Sequence, residues 1–312
     1  MGKGWGYGKT IFVGDAFIQF GVPAVVGALG QRTEARVTRS QGQGWVIEDI
    51  RPSVPGYKQS KRRMQTDATE RILRAMHVDV AEHHLRISFQ GDLLAGSGIG
   101  ASAASCVALA RAISDEWNLE LDDGVINEIA FEGEKGYHGE PGGVDNTAST
   151  YGGVLWFQKD RDGGVDHVER LTLPASLWVV LANSGINVDT SKVVAYKKKL
   201  VKDNRALFAG IFKTLTAQAR ELRHAIETGD NRKAGLLMNE HHRILREHKF
   251  SHDTIDRLVD RALGAGALGA KVTGGGMGGY MLALVADEIT RGKVSTAIQE
   301  LGFTTVETKV GT

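Results

Sequence analysis

The chain has 312 residues, enough to bury a sizeable core and to divide into two lobes. Lysine and arginine number 38 against 37 acidic residues, a formal net charge of +1, which argues against nucleic acid or an anionic membrane as partner. The single cysteine, Cys106, excludes an intramolecular disulfide, and with no leader-like or spanning apolar run the expectation is a soluble, cytoplasmic protein.

From the N-terminus, GYGKTIFVGDAF (6–17) puts Lys9 just before a predicted strand, Thr10–Val13, and Gly14–Asp15 just after it. A second short strand is predicted over Ala24–Ala28. RPSVPGYKQSKRR (51–63) holds two of the five prolines and reads as a solvated surface loop, followed by an amphipathic helix over Thr66–Met76. In His83–Gln90, Leu85, Ile87 and Phe89 alternate with polar residues, which predicts a strand. GSGIGASAAS (96–105) comes next and leads into a predicted helix, Ser102–Ile113. Strand, glycine loop and helix together aim backbone N–H groups and the positive end of a helix dipole at one point, so the natural guest is a phosphate. Cys106 falls inside that apolar helix and is read as a packed core thiol.

A second informative segment is FEGEKGYHGEPGGVDNTASTYGG (131–153). Glu134 falls at the end of a predicted helix, and Asp145 lies eleven positions on in a Gly/Pro-rich loop. Leu177–Ala182 is predicted as a buried strand. Asn204–Phe250 reads as a helical hairpin broken at Thr228–Gly229–Asp230, with Phe208, Phe212, Leu215, Ala219, Leu222 and Ile226 on its core face. A helix (Thr254–Leu263), a glycine-rich loop (Gly274–Gly279), a strand (Met281–Val285), a helix and a last strand (Thr304–Val310) complete the chain. The lobe boundary is placed near Asn183, giving residues 1–183 and 184–312. Histidines 224, 241, 242, 248 and 252 match no compact ligand set, and surface or core-edge positions explain them better than a metal site.

Phosphoryl transfer needs a phosphate cradle, oxygen ligands for Mg²⁺, a carboxylate facing the acceptor hydroxyl, and a cation beside that carboxylate. Ser102, Glu134, Asp145 and Lys9 can fill those places. Each also has a plain structural reading: a helix N-cap, a solvated helix face, a turn-former and a surface charge. Their occurrence together with two glycine loops favours the functional one.

These segments resemble the superfamily of galactokinase, homoserine kinase, mevalonate kinase and phosphomevalonate kinase, the GHMP kinases, and within it most nearly the mevalonate kinases. GSGIGASAA is similar to the superfamily's phosphate-binding motif, HGEPGGVDNTASTYGG (138–153) to the segment around its catalytic aspartate, and KVTGGGMGGY (271–280) to its third glycine motif. The resemblance runs over nearly the whole chain. It implies an α+β, two-lobed fold: an ATP-binding N-terminal lobe of ribosomal-S5-like type and a ferredoxin-like C-terminal lobe carrying the hairpin 204–250. It implies Asp145 and Lys9 as the catalytic pair and Ser102 and Glu134 as Mg²⁺ ligands. Gly96, Ser97, Gly98, Ile99, Gly100, Ala101 and Ser102 would hold ATP. Asp15, Ala16, His138, Gly142, Thr190, Gly275 and Gly276 would lie toward the acceptor.

The chain departs from the family on the acceptor side. Gly14–Asp15–Ala16 stands where Gly-Glu-His is usual, so a hydrogen-bonding ring is lost, worth on the order of 1–3 kcal/mol of substrate binding. Pro141–Gly142–Gly143 replaces Pro-Ser-Gly. The expected activity is therefore transfer of phosphate from ATP to a hydroxyl of a small molecule. Mevalonate is the leading acceptor, and another hydroxy acid, a polyol or a sugar is the alternative. A nicotinamide oxidoreductase fits poorly, because Asp115–Glu116 end the helix itself rather than the next strand. A non-catalytic nucleotide sensor conflicts with the four filled catalytic positions. A homodimer is compatible with the sequence.

Overall fold

The computed structural model describes residues 1–96, 98–186 and 190–311, and of Thr190, Ser191, Lys192 and Val194 the backbone alone. Ser97 thus lies outside the described residues, and so does the side chain of Thr190. The chain forms two compact units, residues 1–9 with 29–152 and residues 10–28 with 153–312. Two strands, β1 (Gly2–Val13) and β2 (Ala24–Gln41), pass from one unit into the other.

In the first unit β4 (His83–Gly91) runs antiparallel to β2 and parallel to β3 (Trp45–Asp49). Its register pairs Phe89 with Ala35 and Ile87 with Val37 on the buried face. Helices α1 (Tyr57–Ala75), α2 (Ala101–Trp117), α3 (Asp123–His138) and α4 (Val144–Tyr151) complete the unit. Ile72, Val107, Ile113, Ile126 and Ile129 pack with that sheet face into one core. β1 begins at Gly2, eight residues before the predicted strand. A Cβ on Gly2, Gly4 or Gly6 would fall 2.1, 2.3 or 2.4 Å from the carbonyl oxygens of Ala112, Ala108 and Ala104. Alternate strand positions therefore meet successive turns of α2 backbone to backbone, which only glycine permits.

Two expectations here are corrected. The segment 51–63 is not a solvated loop. α1 starts at Tyr57, nine residues before the predicted helix, and Arg51 is buried on Asp49 at 2.6 Å with a further hydrogen bond to Ser105 Oγ. Asp49 neutralises the guanidinium, and Ser105 and the Phe89 ring take up the rest of its surface. Cys106 is the buried core thiol expected, pushed well above its ordinary pKa by burial.

In the second unit β7 (Leu177–Asn183) lies between β10 (Thr305–Val310) and β9 (Tyr280–Val285), and β9 pairs with β8 (Gly269–Thr273), all antiparallel. A hairpin of β5 (Val154–Gln158) and β6 (His167–Leu171) pairs with the start of β2. α5 (Thr190–Asp203), α6 (Arg205–Thr228), α7 (Asn231–Glu247), α8 (Asp253–Gly264) and α9 (Glu288–Gln299) make up the helices. The hairpin breaks where expected: Gly229 is left-handed at φ 79°, and the Asp230 side chain accepts from Lys233 N to start α7. Phe17, Phe208 and Phe250 anchor the core, with the rings of Phe17 and Phe250 edge-on at 4.9 Å.

The reading of the histidines as surface or core-edge groups is corrected for two of them. His241 and His242 are both fully buried on α7. Among the described residues no group of three His, Cys, Asp or Glu side chains is arranged to hold a metal, and no helix is long and apolar enough to cross a membrane.

Candidate active site

In the first unit the loop between β4 and α2 carries Gly96, Gly98 and Gly100, all left-handed at φ 84°, 79° and 82°. Two of them are also sterically committed. A Cβ on Gly96 would lie 2.4 Å from the Tyr57 ring, and one on Gly100 would lie 2.8 Å from Lys9 Cγ. Gly100 is the N-cap of α2 and offers no capping side chain, so the first-turn amides at Ala101 and Ser102 are open to an anion. Ile99 is buried and its carbonyl accepts from Lys9 N at 2.8 Å, which ties the loop to β1.

Lys9 is the pivot of the cluster. Its side chain is 5% exposed, and Nζ lies 3.0 Å from Asp145 Oδ1. Asp145 sits in the first turn of α4, behind Gly143 at φ 84°, where the helix dipole favours a carboxylate. α4 is itself fixed from two sides. Asn146 Nδ2 donates to Asn127 Oδ1 of α3 at 2.7 Å, and Ser149 Oγ donates to the Tyr7 carbonyl at 2.7 Å. Asp145 keeps 31% of its side chain exposed, so it is held by Lys9 yet open to a reactant.

Glu134, on the last turns of α3, has the opposite environment. It is 1% exposed and its Oε1 makes no hydrogen bond. Burial, and then the neighbouring Asp145, raise its pKa to about 8, against the Ser102 hydroxyl and the Lys9 ammonium. His138, one turn further along α3, has Nε2 3.3 Å from Ser102 Oγ and 3.8 Å from Glu134 Oε2. Burial lowers its pKa, so the ring is neutral near pH 7. The structure thus brings Lys9, Ser102, Glu134, His138 and Asp145 together behind the glycine loop. Gly142, in the turn before α4, is exposed with open space at its Cα.

The orphaned Glu134 Oε1 beside a helix-terminal hydroxyl suits a hard divalent cation that takes oxygen ligands. An unpaired buried carboxylate is otherwise costly.

The remaining expected residues belong to the second unit. Asp15 is fully buried. Its Oδ2 pairs with Lys271 Nζ, and its Oδ1 accepts from Gly274 N at 2.7 Å. Lys271, also fully buried, donates to the carbonyls of Ile11 (3.1 Å) and Val272. His241 Nε2 stands 3.8 Å from Asp15 Oδ2. Ala16 follows Asp15 at φ 64° and is half-buried. In the glycine loop before β9, Gly275 has open space at its Cα, whereas a Cβ on Gly276 would meet the Phe250 carbonyl at 2.6 Å. Asp15 thus links Lys271 to Gly274 of the glycine loop, and the His241 ring lies beside them without a hydrogen-bond partner among the described residues. In the sequence Lys271 stood out only as the first residue of the third glycine motif, and His241 only among five histidines read as surface or core-edge groups. A lysine inside the apolar run of β8 was the available signal for the first; nothing marked the second.

Residues 65–153 match the model for the GHMP kinase N-terminal domain, and residues 222–303 match that for the GHMP kinase C-terminal domain. The chain is 34% identical over 295 residues to a mevalonate kinase of Aeropyrum pernix, covering 91% of this chain and 89% of that protein. It is 28% identical to a mevalonate kinase of Pyrococcus furiosus, covering 97% and 94%. The crystal structure of L. major mevalonate kinase in complex with R-mevalonate matches with a TM-score of 0.94 at 34% identity, over 99% of this chain and 96% of that one.

Proposed function

The chain belongs to the GHMP kinase family, and from that premise we propose that it transfers the γ-phosphoryl group of ATP to the terminal hydroxyl of mevalonate, as a step toward isoprenoid precursors. An ATP-dependent kinase acting on an alcohol is what the family and its relatives support. The observation that carries the acceptor is the match at TM-score 0.94 and 34% identity to a structure with R-mevalonate bound.

In this reading the amides and glycines of 96–102 hold the ATP phosphates, within the half of the chain assigned to nucleotide binding (1–183). Asp145 orients or deprotonates the attacking hydroxyl, and Lys9, 3.0 Å away, offsets its charge and that of the developing alkoxide. Ser102 and Glu134 would hold Mg²⁺, whose chemistry when bound is to neutralise charge on the phosphate oxygens. His138, neutral and against Ser102 Oγ, would fix the direction of that hydroxyl. Asp15, Ala16, Thr190, Gly275 and Gly276 are assigned to the acceptor, and a cytoplasmic enzyme, possible as a homodimer, fits the composition.

Ala16 is the observation that favours a second acceptor, since its methyl group cannot donate the hydrogen bond of a histidine. The test is ADP release with Mg·ATP against mevalonate, phosphomevalonate, homoserine, galactose and several polyols, with identification of the product. Turnover on mevalonate at least a hundredfold above the others is the expected result. Turnover confined to another acceptor would overturn the mevalonate assignment and leave the kinase chemistry standing.

A further inference from the structure

We propose that Lys197 is the residue that recognises the acceptor, its ammonium pairing with a carboxylate carried by the molecule to be phosphorylated. This rests on the kinase reading above and deepens it by naming the acceptor class, a hydroxy acid.

Residues 197–199 of α5 are three consecutive lysines, and they behave differently. Lys198 and Lys199 face water, as do Ala195 and Tyr196, whereas Lys197 is 3% exposed. Val193, one turn earlier, is buried too, so Lys197 belongs to the helix's inward face. A surface lysine folded back over apolar groups would keep its ammonium in water. This one does not, and it has neither a hydrogen-bond nor an ion-pair partner among the described residues.

Among the described residues the one carboxylate whose charge it feels is Asp15. Asp15 is already committed: Lys271 takes one oxygen and Gly274 N the other. His241, the other titratable group beside Asp15, is held neutral because burial and the adjacent Lys271 push its pKa well below the ordinary value. Among the described residues two buried lysines thus share one carboxylate, Asp15, so that two positive groups stand against one negative one. Burial pulls the Lys197 pKa down to about 8, Asp15 opposing, so the ammonium is still mostly charged near pH 7.

A buried, unpartnered cation is expensive, and a methionine of the same length would be cheaper if packing were the only task. Such groups mark sites where an anion arrives later. A single surplus charge matches a carboxylate better than a phosphate dianion. Ala16, next to Asp15, brings no polar side chain of its own, and among the described residues Lys197 is the buried cation there without a partner.

The experiment compares wild type with Lys197→Met, Lys197→Gln and Lys197→Arg, each as the full chain. Steady-state ADP release is measured with mevalonate and with mevalonamide, its uncharged analogue, and KM for ATP is measured in parallel. Wild type should prefer mevalonate by about a hundredfold in kcat/KM, the size expected of a buried charge pair. Lys197→Met should bring that preference to within threefold of unity by raising KM for mevalonate, with kcat and KM for ATP within threefold of wild type. Lys197→Gln, which keeps a polar end if the methionine variant misfolds, should lose the preference likewise, and Lys197→Arg should restore part of it.

An unchanged preference in the Met or Gln variant overturns the proposal. So does an equal loss on both acceptors, which a merely structural lysine would give. A loss confined to KM for ATP would assign the charge to a phosphate instead and also overturns it. If wild type ignores mevalonate and uses another acceptor, the mevalonate reading fails separately. A neutral sugar or polyol as that acceptor then overturns the role of Lys197, and a hydroxy acid whose turnover depends on Lys197 upholds it.

Discussion

Glu134 and Asp145 are two nearby carboxylates with opposite surroundings, and the difference supports the separate roles proposed for them. Asp145 is partly open, paired with Lys9 at 3.0 Å and placed in a helix's first turn. Glu134 is sealed off with one oxygen unbonded and its pKa raised to about 8. Replacing Glu134 with Gln preserves volume and removes the charge. The Mg²⁺ concentration for half-maximal activity should then rise at least tenfold, and an unaltered Mg²⁺ titration would remove Glu134 from the ligand set. Gly96→Ala tests the loop. The substitution meets both a left-handed backbone and the Tyr57 ring at 2.4 Å, so KM for ATP should rise and stability should fall by roughly 1–3 kcal/mol, read by urea unfolding. These residues were legible because glycines and acids at fixed spacing leave a pattern. Lys197 and His241 left none, since a lysine in a run of three or a histidine beside another does not reveal which of them faces inward, and Lys271 left only its place in an apolar strand.

At the scale of elements, α7 carries a pH dependence. Burial lowers the pKa of both His241 and His242, and Lys271 acts on both in the same direction, while Asp256, 3.2 Å from His242, opposes. In the unfolded chain a histidine titrates near about 6.5. As pH falls below that value the unfolded chain takes up protons that the folded chain refuses, so stability declines on the acid side and is unaffected above about pH 7. The slope is at most about 1.4 kcal/mol per pH unit for each histidine. The urea midpoint should drop between pH 7.5 and pH 5, and less steeply in His241→Leu; a midpoint flat over that range contradicts the assignment. Removing the α7 cap by Asp230→Ala should cost about 1 kcal/mol in the same assay, with kcat unchanged.

The α6–α7 hairpin was readable because its apolar period and its Gly229–Asp230 break agree. β1 was seen only from Thr10, because Gly2, Gly4 and Gly6 are poor strand formers in isolation. The backbone of α2 explains them, and that contact is non-local. α1 was started late for a similar reason: its first two turns are strongly polar, and its beginning is set by Tyr57 packing on Gly96.

For the whole molecule, the glycine and carboxylate motifs that we assign to a phosphate and a cation were readable residue by residue, whereas mevalonate as leading acceptor came from the resemblance of whole segments. The first kind of site is built from backbone amides, glycines and two carboxylates whose positions are nearly dictated by the chemistry. Side chains that the fold brings together from distant positions, as it does Asp15, Lys271 and His241, leave no such local pattern. Family membership supports the reaction class, and Ala16 and Lys197 are where we propose that this chain chooses its substrate.

The most direct measurement compares kcat and ATP dissociation constant in wild type and Asp145→Asn. Turnover should fall about a thousandfold while the ATP dissociation constant stays within threefold, because Asp145 acts on the acceptor hydroxyl and the glycine loop holds the nucleotide. Wild-type turnover in the Asn variant would contradict the assignment of the Lys9–Asp145 pair as the catalytic centre.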